Sequence, residues 1–260
     1  MGRSSDPPLV ALSKGCPTYI QLKQYFEASW IHPNKPKPLV HAIFAIGIAE
    51  ESLVPFLEYR ASVGHCSMSG YGYCSFAGHA NEHLLFHGTR QTCRLGDDER
   101  KPQLCKETSC SLCSIIRNSF DVSKCGKEHA FSRFGTGIYT TECSSKADDY
   151  SSGHPDPGFH TVLVNQVVVG NPLVQLRNAR GITEPPSGYN SIVGVPGADL
   201  NYGETVVYDD NAIRPVYLIA YSTDYRYCWP GTPAIWPGTP PPWPGIPPPR
   251  PGIPPPWPFM

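Results

Sequence analysis

Fifteen of the thirty prolines in this 260-residue chain fall in its last 32 residues, which limits where a fold can form. From Trp229-Pro230-Gly231-Thr232-Pro233 a seven-residue repeat runs to the end, restarting at Trp236, Trp243, Arg250 and, truncated, at Trp257. Such a segment has few N–H groups for a helix or sheet and too little apolar burial to offset its ordering entropy. Residues 229–260 are therefore expected to form a disordered, extended, polyproline-type tail. It is either passive or a docking segment for a proline-motif-binding domain. Residues 1–16 carry Gly, Pro and Ser without periodicity and read as a loose lead-in. That leaves residues 17–228 as the folded domain.

Within that domain, Tyr19, Leu22, Phe26 and Trp30 recur at helical spacing, with Thr18 as the expected N-cap and Trp30 as a packing anchor. Val40 to Ile48 should be a central strand. Leu53, Phe56, Leu57 and Tyr59-Arg60 suggest a second helix, which tolerates Pro55 only in its first turn. Residues 62–79 read as a surface loop, and Cys113 to Phe120 as a helix with Ile115, Ile116 and Phe120 on one side. Thr161–Val169, Asn190–Val195, Thr205–Tyr208 and Pro215–Tyr221 are β-forming runs, with Asp209-Asp210-Asn211 as a turn. Strands outnumber helices and do not alternate with them, so the fold class is α+β with a bent, mostly antiparallel sheet and flanking helices.

Three stretches stand out chemically. In Asn81-Glu82-His83-Leu84-Leu85-Phe86-His87-Gly88-Thr89, an apolar run that reads as a buried strand ends in an imidazole, a residue without a side chain and a hydroxyl. Gly88 would let a ligand approach the backbone closely, and His87 offers a donor or acceptor at the mouth of the sheet. The second stretch is Phe134-Gly135-Thr136-Gly137-Ile138-Tyr139 followed by Ser144-Ser145-Lys146-Ala147-Asp148-Asp149-Tyr150, where Ser144 or Ser145 is the expected helix cap. The third is Asn201-Tyr202-Gly203-Glu204-Thr205-Val206-Val207-Tyr208. In this order and spacing they resemble the catalytic domain of the poly(ADP-ribose) polymerase family of ADP-ribosyltransferases, over roughly residues 17–228. The family's His–Tyr–Glu triad falls on His87, Tyr139 and Glu204.

The resemblance implies an ADP-ribosyltransferase-like split sheet with NAD, as substrate, held in the cleft between its halves. It implies cleavage of the nicotinamide–ribose bond and transfer of ADP-ribose, as single units or polymer, to a protein acceptor. In that reading Gly88 pairs with the carboxamide through its backbone and His87 holds the adenosine-side ribose. Tyr139 and Tyr150 sandwich the nicotinamide, Thr89 and Ser145 complete the NAD-binding set, and Glu204 accepts from the reacting ribose hydroxyl. The family often carries a serine three residues before the second tyrosine, where this chain has Ala147. The same residues would serve an NAD glycohydrolase that passes ADP-ribose to water. A third reading is a catalytically silent module that binds partners through the proline tail.

Cys93, Cys105, Cys110 and Cys113 lie at C-x11-C-x4-C-x2-C, and the tight part has zinc-like spacing for a closed structural site. The zinc motif known in one branch of the family lies elsewhere, after the tyrosine motif, so this cluster stands on its own spacing. The alternative is a buried helix residue, Cys113, with free loop thiols. A net charge of -1 gives no direct nucleic-acid signal. No apolar run is long enough for a membrane span, and Met1–Asp6 has no apolar signal core, so an intracellular chain, nuclear or cytoplasmic, with mostly reduced cysteines is expected.

Overall fold

The structure is a computed structural model that describes residues 6–63, 80–125 and 132–223. The chain divides into two units, Met1–Tyr227 and Cys228–Met260. The proline repeats, and most of the loop expected at 62–79, lie outside the described residues.

The first unit is α+β, built on two sheets. Strands β1 (Leu9–Ala11), β2 (Leu39–Ile46), β3 (Glu82–His87), β5 (Phe159–Val168) and β9 (Ile213–Ser222) form a five-stranded antiparallel sheet in the order β1-β2-β9-β5-β3. Strands β4 (Ile138–Thr140), β6 (Pro172–Gln175), β7 (Ser191–Gly194) and β8 (Glu204–Val207) form a second sheet in the order β4-β8-β7-β6. There β6 and β7 are parallel, and the remaining pairs are antiparallel. Four helices flank the sheets: α1 (Pro17–Ala28), α2 (Glu50–Val63), α3 (Ser111–Asn118) and α4 (Ser144–Asp148).

Both faces of the large sheet are covered, which explains why its strands read as continuous apolar runs. Strand residues alternate between faces. Leu85, Leu163, Leu218 and Phe44 pack with Leu112, Cys113 and Ile116 of α3 on one side. Phe86, Val162, Ile219 and Ile43 pack with Tyr19, Leu22 and Phe26 of α1 on the other. A register shift between Val40 and Ala42 keeps β2 in step with both layers: Val40 joins the α1 side and Ala42 the α3 side. Trp30 anchors the α1 layer as expected, stacked edge-on to Tyr221 at 5.6 Å between ring centroids. Each such side chain contributes roughly 1.5–3 kcal/mol by leaving water.

Several local expectations change in the fold. The lead-in contains β1, whose three residues pair with Ile46, Ala45 and Phe44 of β2. It was illegible because three residues are too few to show a period. The central strand is β9, and β2 lies one strand in from the edge. Strand β3 is an edge strand with Leu84 exposed, so only Leu85 and Phe86 of the apolar run are buried. The cap of α1 is Cys16, whose Sγ accepts from the Tyr19 N–H, and Pro17 opens the helix. Pro55 sits inside α2, beyond its first turn. Helix α3 runs Ser111–Asn118, and Phe120 lies beyond it, past Ser119 at φ 64°.

Candidate active site

The two sheets meet where β3 ends. Phe86 and Thr141 form a two-bond bridge, Phe86 N–H to Thr141 O at 2.8 Å and Thr141 N–H to Phe86 O at 3.0 Å. That bridge brings β4 alongside the end of β3. Strand β4 pairs in turn with β8, with Tyr139 opposite Val206 and Thr140 opposite Thr205. The ends of β3, β4 and β8 therefore lie side by side, and they carry His87, Tyr139 and Glu204 respectively.

Each of the three is held by a distinct bond. His87 Nδ1 lies 2.8 Å from the Tyr139 carbonyl, which can only accept, so Nδ1 carries the proton and Nε2 is left as an acceptor in the neutral ring. Burial keeps the His87 pKa below its ordinary value, against the opposing effect of that carbonyl. The ring meets Phe120 edge-on, with centroids 5.0 Å apart. The Tyr139 hydroxyl donates to Gly135 O at 2.8 Å and accepts from Phe134 N–H at 2.9 Å, so its ring is fixed by the turn that precedes it. Burial pushes its pKa up to about 12, and the tyrosine stays neutral. That turn needs glycine at Gly135, where φ is +70° and a Cβ would run into the Ile182 backbone.

Glu204 is the first residue of β8, opposite Gly194, and is only 6 % exposed. Its Oε1 lies 2.7 Å from Lys146 Nζ on α4, and Lys146 also donates to Tyr202 O at 3.0 Å. Its Oε2 is buried without a hydrogen-bond partner among the described residues. Burial lowers the Lys146 pKa, and Glu204 works against that shift. A buried carboxylate oxygen without a donor costs free energy unless a ligand supplies one.

Helix α4 closes the site from the side. A Cβ on Gly88 would stand 1.8 Å from Ala147 O and 3.1 Å from Tyr150 Cβ. Gly88 is thus required by the close approach of α4 as well as by any ligand. Tyr150 follows α4 and is 42 % exposed, leaving ring surface open to solvent. Burial, and then Glu204, raise its pKa. Thr89 continues the same loop and is partly buried.

Ser145 has a different environment from the one its sequence position suggested. It is fully buried, and its Oγ accepts from the backbone N–H groups of Ile31 and His32 at 3.1 and 3.2 Å and bonds His32 Nδ1 at 2.7 Å. Its hydroxyl is committed to the segment after α1 rather than grouped with His87, Tyr139 and Glu204. Neither Ser144 nor Ser145 caps α4. Cys143 is the N-cap residue, and Ser144 Oγ donates to Phe26 O at 2.7 Å, completing the end of α1. Sequence reasoning also passed over Lys146 and His32. The His32 ring stacks on Tyr202 with centroids 3.9 Å apart. A signal for Lys146 was present: it is the one cation in an otherwise small and buried stretch of the second motif.

The four cysteines of the C-x11-C-x4-C-x2-C run do converge. Their sulfurs all lie within 4.8 Å of one another, which fits a metal ion bound by thiolates. Among the described residues, no helix is long and apolar enough to cross a membrane.

Comparison with known proteins agrees with this geometry over part of the chain. Residues 108–197 match the family model described as the poly(ADP-ribose) polymerase catalytic domain. Over 102 residues the chain is 28% identical to the protein mono-ADP-ribosyltransferase PARP4 of Mus musculus, covering 37% of this chain and 5% of that protein. Together these matches support a PARP-family catalytic domain and bear out the resemblance read from the three motifs. The family match includes Tyr139 and Tyr150 but begins after His87 and ends before Glu204. The grouping of those two with Tyr139 therefore rests on the bonds and strand pairings above.

Proposed function

We propose that this chain is an NAD-dependent ADP-ribosyltransferase that cleaves the nicotinamide–ribose bond and passes ADP-ribose to a protein acceptor. The observation that carries the reading is the Glu204 carboxylate: one oxygen held by Lys146, the other buried and unpartnered among the described residues, beside Tyr139 and His87.

Breaking the glycosidic bond leaves positive charge on the ribose, and nicotinamide departs as a neutral group. A fixed anion close to that ribose stabilises the transition state more than the ground state. Glu204 Oε2 accepts a hydrogen bond from the reacting ribose hydroxyl, which places negative charge where positive charge develops. Lys146 orients the carboxylate through Oε1. The neutral Nε2 of His87 accepts from the adenosine-side ribose. The rings of Tyr139 and Tyr150 offer flat faces for the nicotinamide at low ordering cost, and the backbone of Gly88 takes the carboxamide. Glu204 also serves as base toward the incoming nucleophile.

Incubation with labelled NAD, followed by a gel and chromatography of the soluble products, tests this. Label on protein, as a single band or a ladder, is the expected outcome. Free ADP-ribose with unlabelled protein would assign the site to hydrolysis, and intact NAD would sink the catalytic reading altogether.

A further inference from the structure

Cys93 Sγ lies 3.6 Å from Cys113 Sγ and 3.8 Å from Cys110 Sγ, and Cys105 completes a group whose sulfurs are all within 4.8 Å. Four sulfurs around a zinc ion at about 2.3 Å stand roughly 3.8 Å apart at the corners of a tetrahedron. The observed separations are too long for disulfide bonds and shorter than the spread of ligands around an iron–sulfur cluster. Arg117 donates to the Cys105 carbonyl at 2.8 Å, which sets a guanidinium beside the cluster. A nearby guanidinium suits the double negative charge of a tetrathiolate zinc centre.

We propose that Cys93, Cys105, Cys110 and Cys113 bind one Zn2+ as a closed structural site, and that this site fixes the loop carrying His87, Gly88 and Thr89 against α3. The connection is continuous. The Cys93 carbonyl accepts from Gln91 Nε2 at 2.9 Å, and buried Gln91 is bonded to Ser152 O through its N–H and to Thr161 through its side chain. The Leu112 N–H of α3 donates to Arg90 O at 3.0 Å, just beyond the His87–Thr89 segment. Beyond α3, Phe120 abuts the His87 ring. The metal thus ties the start of α3 to the loop leaving β3. Four protein ligands fill the coordination sphere, so the ion takes no part in chemistry.

Metal analysis of the purified full chain should find about one zinc per chain, as one four-thiolate site requires. Replacement by Co2+ should give the intense red-region absorption of tetrahedral thiolate cobalt. Cys110→Ser should lose the metal, melt about 10 °C or more below wild type, and turn over NAD more slowly, because binding free energy at such a site is folding free energy. Cys125→Ser, outside the cluster, should keep the zinc. If Cys110→Ser yields no soluble protein, the wild-type cobalt spectrum and a chelator-dependent fall in melting temperature decide. Four freely reactive thiols in a metal-free protein whose melting temperature ignores chelator would overturn the proposal. So would stoichiometric iron in place of zinc.

Discussion

Two ion pairs flank α4, one around buried Glu204 and one around half-buried Asp148, and their acceptors are filled differently. On the cleft side, Lys146 holds Glu204 by one oxygen and the other is left without a partner among the described residues. On the opposite side, Asp148 is saturated: Oδ1 accepts from Tyr221 Oη at 2.6 Å, Oδ2 accepts from Lys35 Nζ at 2.6 Å, and His160 stands 3.4 Å away. Lys35 also donates to Ser145 O at 2.7 Å and pairs with Asp149 at 2.5 Å. Burial works to lower the Lys35 pKa, but its bonds to Asp148 and Asp149 raise it, so the lysine stays charged. A buried network with every member satisfied fixes a position, whereas one with a spare acceptor is prepared for a ligand. The difference teaches that α4 is clamped from behind so that Lys146 and Gly88's neighbour Ala147 can be presented in front.

Four outcomes would break or sharpen this contrast. The largest belongs to Glu204→Gln, which keeps shape and removes charge. Turnover of NAD should fall ~10²–10³-fold, the usual cost of deleting a positioned transition-state group, while thermal melting stays close to wild type. Near-normal kcat in that variant would make Glu204 an ordinary structural carboxylate. Next, Asp148→Ala should do the reverse. It leaves Tyr221 Oη without its acceptor and Lys35 with only Ser145 O and Asp149, and should cost about 2 kcal/mol, roughly 4–8 °C in melting temperature for a domain of this size. A melt unchanged in Asp148→Ala would show the rear network to be incidental.

The two lysines offer a smaller, matched test. Lys146→Met should lower kcat roughly tenfold or more, the worth of one hydrogen bond to a charged group, and should also lower stability, because it leaves the buried Glu204 carboxylate unpaired. Lys35→Met should lower stability and leave kcat less affected. If both variants behave alike in kinetics and melting, the front and rear of α4 are not functionally distinct. The smallest effect concerns pH. His32, His41, His87 and His160 each have a pKa held below the ordinary 6.5, with burial as the leading cause. The folded chain therefore binds fewer protons than the unfolded chain just below that value. Stability is full above about pH 6.5 and declines as pH falls toward the folded-state pKa values. A melting temperature that is flat or rises from about pH 7 down to about pH 5.5 would contradict the burial of these rings.

Four of the five strand runs of the large sheet, the α1 anchors Tyr19, Leu22, Phe26 and Trp30, and the three motif stretches were legible without any structure. These signals are periodic or depend on rare residue types at short spacing, so they survive without knowledge of distant contacts. The sequence also spelled out the cysteine spacing, though not that Cys93, with eleven residues between it and its nearest ligand neighbour Cys105, folds back to meet it. Only the tertiary structure decided how hydroxyls and charges near the site are spent. Ser145 lies in the second motif, yet its hydroxyl bonds the segment at Ile31 and His32, over a hundred positions away in sequence. Lys146 meets Glu204 because β4 pairs with β8 and α4 follows β4, an adjacency no local pattern encodes. Strands β1 and β6 were illegible for a related reason: at three and four residues they gain their hydrogen bonds from partners rather than from their own propensity, and although β7 was legible within Asn190–Val195, its parallel pairing with β6 was not. Side-chain type fixes what a residue can do, and the pairing of remote strands fixes which partner it does it with.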